Sequence, residues 1–115
     1  MKESPIFART YDLLRWLIPA TVGFPRQQRF VLAQAVQQAA LQLHRELVEA
    51  AYAAETATRL RQADATLARL RHYLRLCRDL KLLSVRQHEH VARMVDEIGR
   101  LLGGWLKAAA RGEQG

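Results

Sequence analysis

Apolar residues recur every three or four positions through almost the whole chain, which is the spacing of one face of an α-helix. Over residues 6–20, Phe7, Tyr11, Leu14 and Ile18 repeat at intervals of four, three and four. They predict a first helix, with Pro19 in its last turn to end or bend it. Pro25 suits the first turn of a second helix, where its missing N–H costs nothing. Across residues 26–54, Ala33, Val36, Ala40, Leu43, Leu47, Ala50 and Ala54 form a bundle seam. Phe30, Leu41 and Val48 fall on a flank away from that seam, which fits either a further subunit or a broad core.

A third helix over residues 56–82 carries Leu60, Ala63, Leu67, Leu70, Leu74 and Cys77, helped by Tyr73. The break before it, near residues 53–58, holds neither glycine nor proline. Ser84 and Gln87 have capping-box spacing and open a fourth helix over residues 85–110. Its seam is Val91, Val95, Ile98, Leu102, Trp105 and Ala109. The polar tail, 111–115, is expected to fray. No segment alternates as strands do. The expected fold is all-α: one domain over residues 1–115, an antiparallel up-down four-helix bundle.

Charge adds the first hint of a role. The 115 residues hold 18 basic and 11 acidic side chains, a net +7, and 15 of the basic residues are arginine. A pI near 10.5 is the footprint of a nucleic-acid partner, and arginine suits bidentate phosphate contacts. Genome composition is the other source of such an excess. Arg71, Arg75 and Arg78, spaced four and three apart, line one face of the third helix, with Arg61 on the same helix. Arg26 and Arg29 start the second helix as a separate basic group. Asp64 and Asp79 interrupt the stripe, so a solvated, internally paired surface is the competing reading.

Catalytic chemistry finds little support. His88 and His90 are two apart on a helix and point to opposite sides, so they cannot share a metal as an i, i+4 pair does. Cys77 lies on a seam without a histidine one turn away, and one cysteine excludes an internal disulfide. No cofactor or metal site is expected. The longest apolar run, residues 17–24, is far short of a membrane span, and Arg15 interrupts the only stretch resembling a signal core. A cytoplasmic protein without a membrane role is expected. Gly99, Gly103 and Gly104 are costly inside a helix. They open a face either for tight packing in the bundle or for a subunit contact, with Trp105 placed to lie across the cleared space.

Leu70-Arg71-His72-Tyr73-Leu74-Arg75-Leu76, Leu82-Leu83-Ser84 and Glu97-Ile98-Gly99-Arg100-Leu101-Leu102-Gly103-Gly104-Trp105 resemble the core of a small four-helix-bundle family. It includes the accessory variability determinant (Avd) of diversity-generating retroelements and proteins encoded in intervening sequences of bacterial 23S rRNA genes. The resemblance runs from about residue 11 to 107, and the fourth-helix element is its most specific part. The intervening-sequence branch ends its second helix with Asn-Ile-Ala-Glu-Gly. This chain has Glu46-Leu47-Val48-Glu49-Ala50-Ala51 there, and Phe24-Pro25-Arg26, Arg29-Phe30 and Tyr52 also look like the Avd branch.

The resemblance implies a non-enzymatic partner of a reverse transcriptase. It implies a pentameric barrel of bundles whose basic surface binds that polymerase and template RNA or other nucleic acid, supporting mutagenic, adenine-targeted cDNA synthesis. Arg71 and Arg75 match the family's paired arginines, and Gly99, Gly103 and Trp105 match its fourth-helix element. A structural or adaptor bundle of the intervening-sequence type, with no direct nucleic-acid role, is the alternative.

Overall fold

The computed structural model describes residues 4–114. Helix α1 spans Pro5–Val22, α2 Arg26–Gln28, α3 Gln34–Tyr52, α4 Thr56–Asp79 and α5 Val85–Gln114. A π-helical turn, Arg29–Ala33, joins α2 to α3, so these three pieces form one continuous second helix of a four-helix bundle. Its neighbours are α1 beside α3, α3 beside α4, α4 beside α5 and α5 beside α1. Cross-links run antiparallel throughout: Thr10 meets His44, Arg69 meets Gln42, Arg71 meets Asp96 and Phe7 meets Trp105. The result is an up-down-up-down rod of 50 × 23 × 22 Å.

The core is the expected set of seams. Val36, Ala40, Leu43, Leu47 and Ala50 pack with Leu60, Ala63, Leu67, Leu70, Leu74 and Cys77, and with Val91, Val95, Ile98 and Leu102. Trp105 and Ala109 are half-buried at its edge. Ala54 is not part of it, because the second helix stops at Tyr52 and Ala54 lies exposed in the connection.

Helix α1 departs from the expected face. Its inward residues are Ile6, Thr10, Leu13, Leu17 and Thr21, while Tyr11 is 58% exposed and Ile18 also faces outward. Two threonines on the buried side disguise it, and both are satisfied. Thr21 Oγ1 donates to the Leu17 carbonyl at 2.9 Å and accepts from Gln37 Nε2 at 2.8 Å. Thr10 Oγ1 donates to the Phe7 carbonyl and lies 2.8 Å from His44 Nδ1. Pro19 does not end this helix. Its ring faces solvent, and the helix continues to Val22.

Two ends are also set by local chemistry. Helix α4 stops at Asp79, three residues early, because Lys81 takes a left-handed conformation (φ 63°). The Leu82 N–H then donates to the Cys77 carbonyl and the Lys81 N–H to the Arg78 carbonyl, a Schellman closure in a position that favours glycine. Lys81→Gly is therefore expected to stabilise the fold by roughly 0.5–1 kcal/mol in urea unfolding. At the other terminus α5 runs on to Gln114 rather than fraying at 111. There the Glu113 carboxylate accepts the Ala57 N–H at 2.9 Å and caps the start of α4. Gly115 lies outside the described residues.

A basic groove between the third and fourth helices of the bundle

The capping box fixes where α5 begins. Ser84 N–H donates to Gln87 Oε1 at 2.9 Å, and Gln87 N–H donates back to Ser84 Oγ at 3.0 Å. With that start, His88, Ala92, Asp96 and Gly99 follow at helical spacing along the edge of α5 that faces α4. Opposite them, on α4, stand Arg71, Arg75 and Arg78. Together these residues enclose a groove of about 210 Å³, floored by Leu74, Ala92 and Val95 and lined by Arg71, Arg75, Arg78, His88 and Asp96. The three arginines of the stripe thus share one feature.

Their charges are not equivalent. Arg71 Nη2 reaches Asp96 Oδ1 across the groove at 3.5 Å. Arg78 donates twice to Asp79 Oδ1, from Nε at 3.1 Å and from Nη2 at 2.9 Å. Arg75 has no carboxylate partner among the described residues. Both pairs are solvent-exposed, a setting in which an ion pair contributes only about 0–1 kcal/mol. An entering phosphate can therefore exchange for either carboxylate at low cost. The apolar floor lowers the competition from water without sealing the groove.

Gly99 explains the lie of Arg71. A Cβ at Gly99 would stand 2.6 Å from Arg71 Nη2 and 3.5 Å from Leu67 Cδ2, so the absent side chain is the space the guanidinium occupies. Two motifs 28 positions apart in the sequence meet here. Gly99→Ala is expected to leave thermal stability unchanged or slightly higher, because alanine favours a helix by about 0.5–1 kcal/mol. If the groove holds phosphate, displacing Arg71 should weaken that binding several-fold, read by fluorescence anisotropy with a labelled RNA.

The other glycines behave differently. A Cβ at Gly103 or Gly104 would meet nothing within 4 Å, and both are exposed, so packing inside the bundle does not account for them. Trp105 does not lie across them; its ring stands edge-on to Phe7 of α1 at 6.0 Å. Arg61 is exposed on α4, ten residues before Arg71 and so roughly 15 Å away along the helix, outside the groove. Arg26 and Arg29 sit at the bundle end where the second helix begins.

Two groove residues escaped the sequence reading, His88 and Asp96. Their signal was their spacing with Ala92 and Gly99 along one edge of α5, legible only once that edge was known to face the arginines. His90 points the other way, onto Trp16 at 5.2 Å. Cys77 is fully buried, and burial pushes its thiol up to about 11, which holds it protonated and unreactive at neutral pH. Among the described residues no cluster of three or more His, Cys, Asp or Glu side chains gathers to hold a metal. No helix among them is long and apolar enough to cross a membrane.

Fold and groove together define a basic antiparallel helical bundle whose concentrated chemistry is cationic and lies on its surface. The bAvd-like family model matches residues 6–109, and the chain belongs to that family. No curated protein matches it.

Proposed function

We propose that this protein is a non-enzymatic accessory subunit of a diversity-generating retroelement, binding its reverse transcriptase and template RNA to support mutagenic cDNA synthesis. The observation that carries the RNA contact is the α4–α5 groove, where Arg71, Arg75 and Arg78 converge over an apolar floor. Family membership supports the polymerase as protein partner. The role places it in the cytoplasm, where polymerase and transcript meet.

The working form is a cyclic homo-oligomer, pentameric by family likeness. Leu41 and Val48 are exposed on α3, and Gly103 and Gly104 stand open on α5. A contact between unlike faces of this kind closes into a ring when its rotation permits.

A structured RNA titrated by fluorescence anisotropy across a salt series tests this reading, against the variant reversing all three groove arginines. One observation favours the adaptor alternative: Arg71 and Arg78 already have carboxylate partners. On that reading the same variant changes no binding.

A further inference from the structure

We propose that the end of the bundle carrying the 23–25 and 80–84 connections docks an acidic, apolar protein segment, leaving the α4–α5 groove to phosphates. This rests on the reading above, which gives the chain a protein partner and an RNA, and it assigns them to separate surfaces.

Because the helices alternate in direction, both connections lie at one end. Five large apolar side chains face solvent there: Val22 is 55% exposed, Phe30 75%, Val31 68%, Leu80 54% and Val85 65%. They are not simply the residues that a loop leaves over. Phe24 and Leu83 come from the same connections and are buried, plugging the core. Arg26, Arg29, Lys81 and Arg86 surround them, all exposed and without a carboxylate partner among the described residues.

The π turn is what keeps Arg29 facing outward beside these apolar side chains. Arg29, Val36, Leu43 and Ala50 are seven apart, so an unbroken α-helix would carry Arg29 onto the buried seam. The turn over Arg29–Ala33, closed by the Gln34 N–H on the Arg29 carbonyl, absorbs one residue. Half-buried Gln28 lies one position earlier, and Arg29, Phe30 and Val31 stay exposed. Such turns are rare and gather at functional sites.

Charge selects the occupant. No acidic residue lies between Asp12 and Glu46 or between Asp79 and Glu89, and Asp79 is bonded to Arg78. A second copy offers the same positive end, so end-to-end pairing of copies is repelled. Phe30 alone offers an aromatic face on which a base could stack; Val31, Leu80 and Val85 have none, and their burial rewards an apolar counterpart. An acidic segment with an apolar face satisfies both demands. The patch is assembled from the ends of separate helices rather than along one amphipathic helix, the form that lies in a membrane surface.

The test uses the whole 115-residue chain with the retroelement reverse transcriptase that the proposed function assigns to it, and separately with the structured RNA. Phe30→Ser/Val85→Ser removes apolar contact without changing charge, and Arg26→Glu/Arg29→Glu/Arg86→Glu reverses the rim. Each is expected to weaken polymerase binding at least tenfold. The serine pair should leave RNA affinity within about threefold, which also shows that it folds. Polymerase binding unaffected by both variants overturns the docking site while the proposed function stands. Loss of RNA binding by the serine pair, or its loss of pelleting with phosphatidylserine vesicles, assigns the end to another ligand and overturns it too. A wild-type chain that does not bind the polymerase overturns both readings.

Discussion

Replacing Arg71, Arg75 and Arg78 together by Glu is expected to abolish RNA binding at physiological salt while leaving the helical fold intact. Binding through phosphates releases counterions, so affinity falls linearly with salt on logarithmic axes, by about 0.7 per contact for single strands and 0.9 for a duplex. Removing three contacts should flatten that slope by about two units, and the reversed charges add repulsion. The expected loss is roughly hundredfold or more near 0.1 M salt. Stability should change little, because the two ion pairs that disappear are exposed and contribute about 0–1 kcal/mol each. Arg61→Glu serves as the comparison, since Arg61 shares the helix but not the groove. It should lower affinity less than the triple variant. An unchanged affinity and slope in the triple variant would remove the groove from the RNA site and favour the adaptor reading.

The largest expected effect on stability is at α1. Leu13 is 1% exposed in the core, and Leu13→Ala should cost roughly 2–5 kcal/mol through lost burial and the cavity left behind. Tyr11→Ala, two residues away, should change stability by no more than about 0.5 kcal/mol, as at other exposed positions. Urea unfolding at one protein concentration measures both, with an unchanged m-value showing that the native state stays compact. A cost at Tyr11 as large as at Leu13 contradicts the observed register of this helix.

That pair of positions shows why the bundle was easier to read than its first helix. In the third and fourth helices a single apolar stripe repeats against polar surroundings, so spacing alone picks out Leu67, Leu74, Val95 and Leu102. In the second, the unbroken three-four seam through Val36 and Leu43 stands out over the sparser flank of Phe30, Leu41 and Val48. Helix α1 carries two apolar stripes about 100° apart on the helical wheel. Phe7, Tyr11, Leu14 and Ile18 form one; Ile6, Leu13 and Leu17 form the other, interrupted by Thr10 and Thr21. Choosing between them requires the side chains of His44 and Gln37, which lie on another helix and satisfy the two hydroxyls.

The candidate site divides in the same way. Arg71, Arg75 and Arg78 on one face follow from an interval of four and then three on a helix, a local property that the sequence determines. So do the Ser84–Gln87 cap and the buried Cys77. Tertiary structure alone decided that these arginines border a groove, that Asp96 and His88 share it, and that Gly99 is the space in which Arg71 lies. It also decided that Gly103 and Gly104 stand open and that a π turn holds Arg29 off the core. The physical reason is range. Helical periodicity and capping are set by neighbours within four residues, whereas a groove, an interlock or a register depends on which helix faces which. Only the packed core fixes that.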